Sequence, residues 1–223
     1  MSAPGPGQTS RYERKLETIL EAAATLFNAR GLGGTTLADV AQAVGLTTTS
    51  VTYYYRRKED LAAACLMRAI DVMGAMVERA FTERTLPADR LTRFLELYFA
   101  QLADVAEQRT PAGINFWDLR ALTGPQAEPT VAAFVALFRQ FRELFRDKAG
   151  PAFTRADQNA RAHLLFSCVI SSKGWSTRYE TADYPRAAAR MAGILIGGIA
   201  AHGQIWAPPV SYTHLTLPTI YSV

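Results

Sequence analysis

The chain has 223 residues, 49% of them hydrophobic, which suits one or two domains with a substantial apolar core and excludes disorder of the chain as a whole. Its 24 Lys and Arg against 20 Asp and Glu leave a net charge of +4, which permits a polyanionic partner without requiring one. Alanine and leucine are frequent while β-branched runs are short, so the composition predicts an all-α fold.

Three helices are predicted in the N-terminal part, at residues 11–30, 37–44 and 48–54. In the first, apolar residues recur at steps of three and four positions. The second follows Thr36, with Asp39 in the position of a capping-box partner, and ends at Gly45. Thr47 is the candidate cap of the third. The spacing predicts a helix, a tight turn and a second helix.

A long helix is predicted from Glu59 to Phe81, because apolar residues return at helical spacing after the basic turn 56–58. Prolines and glycines divide the remainder into five more helices, at 88–108, 112–122, 128–148, 155–178 and 186–206. The expected architecture is all-α, with an N-terminal three-helix helix-turn-helix domain and a C-terminal helical bundle of about six helices.

The predicted domain boundaries are a flexible N-terminal arm at 1–10, the helix-turn-helix domain at 11–58 and the helical domain at 59–207. At 208–223 the composition changes to the polar, β-prone sequence PPVSYTHLTLPTIYSV without helical period. This tail resembles translated sequencing-adaptor read-through; the alternative is a disordered tail.

Several function classes lack their sequence signals. Cys65 and Cys168 stand far apart without a CxxC spacing, so neither a metal site nor a disulfide framework is expected. No catalytic or nucleotide-binding motif occurs, and the three histidines are isolated, so no enzyme activity and no cofactor are expected. The N-terminal arm carries no secretion signal, and the apolar stretch 191–201 is too short to span a membrane, so we expect a cytoplasmic location.

The segment 35–61, TTLADVAQAVGLTTTSVTYYYRRKEDL, resembles the TetR (tetracycline-repressor) family signature. That signature has a T-x-x-x-I/V-A-x-x-x-G-V-S core, an aromatic-rich helix and a K-E-x-L start of the next helix. The resemblance implies a sequence-specific, DNA-binding transcriptional regulator, and the favoured interpretation is a repressor relieved by a small-molecule effector. It also implies a homodimer on a pseudo-palindromic operator of double-stranded DNA, with residues 59–207 serving ligand binding and dimerisation.

The short third helix fits the major groove, where its N-terminal residues reach base edges. Its hydroxyls make three residues the candidates for base contacts: Thr48, Thr49 and Thr52. The candidates for phosphate contacts are Thr36, Thr47, Tyr53, Tyr54, Arg56, Arg57 and Lys58, whereas Tyr55 matches a position that is usually packed inward. Arg57 stands where many relatives have Ser or Asn as a cap, and a cation there is unfavourable unless a nearby charge, such as a phosphate, compensates.

An effector cavity in the C-terminal half is a hypothesis from composition. Its candidate lining residues are Phe94, Tyr98, Asn115, Phe116, Trp117, Asp118, Arg120, Phe134 and His163. The alternative is that these aromatic residues are plain core and that His163 is structural. By resemblance, the last two helices pair with those of a second subunit, and the small residues at helical spacing there are Ala189, Gly193, Ile196, Gly197, Ala200 and Ala201.

Other functions remain open at this level. A TetR-like activator or a ligand-independent regulator would share the same helix-turn-helix. An all-α carrier or enzyme, or a structural interaction protein, would lack a DNA-binding surface, and the hydroxyl-rich third helix argues against these classes. The identity of the effector and the operator sequence lie beyond the sequence.

Overall fold

The computed structural model describes residues 6–147 and 153–200, and the described residues form eight α-helices and no strand. The helices are α1 (Pro6–Arg30), α2 (Leu37–Ala43), α3 (Thr48–Tyr54), α4 (Lys58–Glu83), α5 (Pro87–Ala106), α6 (Ala127–Glu143), α7 (Arg155–Ser176) and α8 (Tyr184–Leu195). Short 3-10 helices lie at Phe116–Ala121 and Thr181–Asp183, and a π-helical turn at Ile196–Ala200. The predicted all-α fold is confirmed.

Several of the predicted elements differ from the structure. Helix α6 ends at Glu143 rather than at 148, and α8 gives way to the π-helical turn after Leu195. Helix α1 begins at Pro6 and so includes the last five residues of the predicted arm. The α-helix predicted at 112–122 is wrong, because residues 111–115 are irregular and only a 3-10 helix follows. The reason is tertiary: the backbone of Gly113 and Asn115 bonds to the side chain of Asn28 instead of closing a helical turn. The tail 208–223 lies outside the described residues.

The N-terminal domain, α1–α3, buries one face of each of its helices. Ile19 and Phe27 on α1 and Val51 on α3 are at most 1% exposed. They belong to one continuous apolar cluster that extends through Leu61 and Leu66 of α4 into the helical bundle α4–α8. Full burial of a side chain of this size contributes about 1.5–3 kcal/mol, so this cluster holds the two parts together.

In the bundle, α5 packs against α4 and α8, and α6 packs against α4 and α7. Aromatic rings fill the centre, where Phe94 meets Phe141 edge-on at 5.1 Å between centroids. The phenol of Tyr98 donates to the carbonyl oxygen of Val169 at 2.7 Å and thereby ties α5 to α7. None of the described helices is long and apolar enough to cross a membrane.

Helix α2 begins with a complete capping box. The Thr36 hydroxyl accepts from the backbone N–H of Asp39 at 3.1 Å, and the Asp39 carboxylate accepts from the backbone N–H of Thr36 at 2.8 Å. Hydrogen bonds from the Thr36 side chain and backbone hold the pKa of Asp39 below its usual value. Aspartate thus serves in a position where glutamate or glutamine is commoner.

The turn between α2 and α3 depends on Gly45, whose φ is +66°. A side chain is strained in this left-handed conformation, whereas glycine adopts it without cost. After Gly45 the chain reverses, and the N–H of Leu46 donates to the carbonyl oxygen of Ala41 at 2.9 Å.

We expect Thr36→Ala to lower the free energy of unfolding by about 1 kcal/mol, because it removes the hydroxyl that caps α2. Urea denaturation followed by circular dichroism measures this change. Thr25→Ala is the matched control, since Thr25 lies mid-helix and bonds only to the carbonyl of Glu21. An equal loss of stability in both variants would contradict the capping role.

Candidate nucleic-acid interface

Helix α3 presents one inward and one outward face. Val51 is completely buried in the apolar cluster, and α3 packs against α2. Thr48, Thr49 and Thr52 are exposed and form a hydroxyl-bearing surface that is able to contact base edges. The Thr52 hydroxyl donates to the carbonyl oxygen of Thr48 at 2.8 Å, which leaves its methyl group and lone pairs for an outside partner.

The two capping threonines, Thr36 and Thr47, differ in whether their hydroxyl groups remain available for a phosphate. Thr36 donates its hydroxyl hydrogen to Asp39 at 2.7 Å, beside a carboxylate that would repel a phosphate, so the structure argues against its predicted phosphate contact. Thr47 accepts from the N–H of Ser50 and shares a 2.8 Å hydrogen bond with the Ser50 hydroxyl. It is exposed, and when Ser50 is the donor of that bond, the Thr47 hydrogen is free for a phosphate.

The three consecutive tyrosines occupy three environments. Tyr53 is 78% exposed, as a phosphate-contacting residue must be. Tyr54 is half-buried, with its ring 5.1 Å from that of Tyr12 on α1. Tyr55 is half-buried as well, and burial raises the pKa of its phenol to about 12. The sequence predicts phosphate contacts for both Tyr53 and Tyr54, but of the three tyrosines only Tyr53 is open to solvent, because Tyr54 packs on Tyr12 of α1.

The basic turn 56–58 does not present three free cations, although all three of its residues are predicted phosphate contacts. The Lys58 ammonium donates to the carbonyl oxygens of Leu32 and Thr35, at 2.8 and 3.2 Å, in the loop between α1 and α2. It therefore stabilises this loop, since the loop carbonyls face the first turn of α4. Arg56 remains exposed and available for a phosphate.

Arg57 is neither bonded to the loop, as Lys58 is, nor wholly free, as Arg56 is. Its guanidinium is 3.4 Å from the carboxylate of Asp60, and it rests on Gly124 in the loop before α6, where a Cβ atom would collide with it. The charge that offsets this cation at the start of α4 thus comes from Asp60, within the chain, rather than only from a phosphate. Its side chain is still 45% exposed.

A cavity of about 510 Å³ opens between α1, α4, α5, the segment 110–116 and the α7–α8 region. Of the predicted pocket residues, Tyr98, Asn115 and Phe116 line it. Most of its wall is apolar, and the described polar groups on it include Asn28 and Lys173. Such a volume and lining are typical of small-molecule sites.

The other predicted pocket residues lie elsewhere. Phe94 and Phe134 are buried in the aromatic core, and Arg120 is exposed. His163 stacks on Phe138 at 4.4 Å, and its pKa is lowered by burial and by the nearby Arg142. The prediction that these four line the cavity is wrong, because the cavity forms on the side of the bundle that faces α1. The side chains of Trp117 and Asp118 are outside the described part.

Asn28 and Lys173 are among the cavity residues that were missed from the sequence. Asn28 lies in the first helix, which was assigned wholly to the helix-turn-helix domain. Lys173 lies in a helix assigned to the interface, although a lone lysine among small and apolar residues was a signal that could have been used.

The candidate interface residues lie on the outer side of α8. Ala189, Gly193 and Gly197 are exposed, and Ile196 is half-buried. Next to them, Ile194 is 76% and Tyr179 53% exposed, an unusual display of large apolar side chains. The Ala200 side chain and Ala201 fall outside the described residues.

Residues 19–65 match the family model of the bacterial regulatory proteins of the tetR family. The chain is 28% identical over 87 residues to the transcriptional repressor KstR2 of Mycolicibacterium smegmatis and 33% identical over 92 residues to the transcriptional regulator RutR of Escherichia coli. These matches cover 39% and 41% of this chain, and 42% and 43% of the two relatives. The chain thus matches less than half the length of these curated relatives.

Solved structures share the fold over most of the chain. A tetR-family regulator from Rhodococcus RHA1 has a TM-score of 0.67 at 22% identity, covering 84% of this chain and 98% of that one. AibR, in complex with isovaleryl coenzyme A and operator DNA, has a TM-score of 0.61 at 19% identity, covering 80% and 96%. The expected fold, a helix-turn-helix domain followed by a helical domain, is confirmed, as is the resemblance to the TetR family.

We expect Lys58→Met to lower the free energy of unfolding by about 1.5–3 kcal/mol, since two loop carbonyls lose a charged donor. Arg56→Met, two residues earlier and exposed, should change it by less than about 0.5 kcal/mol. Urea denaturation of both variants measures the difference. If the two variants were equally stable, the Lys58 ammonium would not be holding the loop.

Proposed function

We propose that this chain, whose residues 19–65 carry the N-terminal domain of the tetR family of bacterial regulatory proteins, is a sequence-specific, DNA-binding transcriptional regulator of the cytoplasm. The observation that carries the proposal is the exposed threonine face of α3, held by buried Val51 inside the matched segment. A helix of this size fits the major groove, and threonine hydroxyls and methyls can contact base edges.

In this proposal Thr48, Thr49 and Thr52 face the bases, while the phosphates are bound by Tyr53, Arg56, Arg57 and Thr47, with Tyr54 at the edge. Threonines do not form the bidentate pairs that discriminate bases most sharply, so DNA shape contributes to specificity. Phosphate contacts fix the position of α3 in the groove. Lys58 acts indirectly, by holding the loop that leads into α2.

We further propose that the chain acts as a homodimer through α7 and α8. Ile194 and Tyr179 expose large apolar side chains on the same groove of about 650 Å³, which α7 and α8 line, and a contiguous apolar patch is typical of an interaction site. The small residues Ala189, Gly193 and Gly197 let a partner helix approach closely. A twofold dimer presents two identical N-terminal domains, which calls for a pseudo-palindromic operator.

The cavity supports an effector-relieved repressor. A ligand that favours another arrangement of the N-terminal domains lowers operator affinity by its differential binding to the two states. Two similar proteins support this proposal. The sequence relative KstR2 is a repressor, and the structural neighbour AibR was solved with both isovaleryl coenzyme A and operator DNA.

A small-molecule carrier is the second candidate, because the cavity alone would also serve that function. It predicts ligand binding without specific DNA binding. Selection of binding sites from random duplex DNA by the full chain, followed by titration at several salt concentrations, separates the two. A palindromic consensus supports the regulator, whereas only weak, sequence-independent binding supports the carrier.

Two variants should then separate phosphate contacts from base contacts. We expect Arg56→Ala to weaken binding to all sequences and to reduce the slope of log K against log salt by about one, as the loss of one phosphate contact does. Thr49→Ala should instead change the selected consensus. Identical effects of both substitutions on all sequences would contradict these roles.

For the dimer, we expect Ile194→Glu to give a monomer, because it places a charge in the apolar interface. Val131→Glu is the control: Val131 is a similarly aliphatic residue, 43% exposed, on α6. Light scattering coupled to size-exclusion chromatography gives the mass of each. A monomeric unsubstituted chain, or a dimeric Ile194→Glu variant, would disprove this interface.

A further inference from the structure

The cavity between α1 and the bundle has one conspicuous polar wall. The Lys173 ammonium lies on it, 3.5 Å from the side-chain oxygen of Asn115. Burial lowers the pKa of Lys173. Among the residues that the structure describes, no carboxylate lies within ion-pairing distance of this lysine. A desolvated cation with only a long hydrogen bond to an amide gains most from an anionic partner.

The other charged groups on the wall do not supply that partner. Arg68 is paired with Glu17 at the α1–α4 contact. Glu21 is half-buried on α1 and makes no ion pair with Lys173. The remaining wall is largely aliphatic, including Leu20, Met73 and Met76. The site therefore suits a molecule with an apolar body and one negative end.

The same asparagine that touches Lys173 also connects to the N-terminal domain. The backbone N–H of Asn115 donates to the Asn28 side-chain oxygen at 2.7 Å, and the Asn28 amide donates to the carbonyl oxygen of Gly113 at 3.0 Å. Asn28 lies two residues before the end of α1, and the loop that follows leads directly into α2. One residue thus contacts the cavity cation and is bonded to the last turn of α1.

We propose that this cavity binds an organic monocarboxylate with an apolar body, whose carboxylate pairs with Lys173, and that Asn115 and Asn28 transmit its occupancy to α1. The transmission of occupancy to α1 rests on the proposed regulatory function, whereas the binding of the carboxylate does not. The incoming carboxylate replaces the amide oxygen of Asn115 as the partner of the ammonium. Asn115 then moves relative to Lys173, and the end of α1, bonded to it through Asn28, moves with it.

Ligand binding is tested without DNA, by isothermal titration calorimetry of the full chain with two acid and amide pairs. The pairs are octanoate with octanamide and 1-naphthylacetate with 1-naphthylacetamide. At least one acid should bind about ten- to a hundredfold more tightly than its amide, since a charge-assisted hydrogen bond is lost with the charge. Equal affinities, or no binding by either acid at millimolar concentration, would overturn the proposal.

Lys173→Met assigns the preference to this residue, because methionine keeps an unbranched apolar side chain and removes the charge. The acid-over-amide preference should disappear in Lys173→Met and persist in Lys15→Met, an exposed lysine on α1. A preference that survives in a folded Lys173→Met variant would refute the site. If that variant does not fold, the comparison of acid with amide on the unsubstituted chain still decides the ligand class.

Transmission is measured on the DNA sequence that the selection yields, as the ratio of operator Kd with and without a saturating acid. Asn28→Ala should bring this ratio close to one, because it removes both bonds to the segment 113–115. An unchanged ratio in this variant would contradict the route through Asn28. If the unsubstituted chain selects no DNA sequence, the proposed function fails, while the calorimetry still reports on the carboxylate site.

Discussion

The packing of α1 against α4 is the contact on which the rest of this structure depends. Ile19 and Phe27 on one helix and Leu61 and Leu66 on the other are buried in the same apolar cluster. Through this contact the N-terminal domain has no separate core of its own. Because protein interiors are close-packed, a change in the position of one helix has to be accommodated by its neighbour. The orientation of α3, the proposed DNA-contacting helix, is therefore set partly by the helical bundle.

The three consecutive cations, Arg56, Arg57 and Lys58, have different partners because of this packing. Lys58 starts α4 and faces the loop between α1 and α2, so its ammonium bonds loop carbonyls. Arg57 is directed to Asp60 and to the loop before α6, and Arg56 to solvent. A count of charges near the helix-turn-helix thus overstates what is free to bind a phosphate. Among these three neighbouring residues, Lys58 stabilises the N-terminal domain, whereas Arg56 is the one proposed to bind phosphate.

The cavity lies beside the same contact, because residues of both α1 and α4 line it. Its wall includes one side of α1, so a ligand there would touch the helix that supports α2 and α3 without any long chain of intermediates. Asn28 connects α1 to the irregular segment 113–115 by two hydrogen bonds. Had that segment been helical, its backbone groups would have bonded each other and left Asn28 without these partners.

The sequence by itself determined the all-α class, the three N-terminal helices and the caps of the second and third of them at Thr36 and Thr47. These follow from short-range rules, because helical periodicity, caps and a glycine at φ above zero are decided within a few residues of the chain. Only the tertiary structure decided where Lys58 bonds, that Tyr54 packs on Tyr12 and that residues 112–122 are not an α-helix. It also decided which side of the bundle holds the cavity. Each of these depends on atoms brought together from distant parts of the chain, and local sequence patterns contain no information about such contacts.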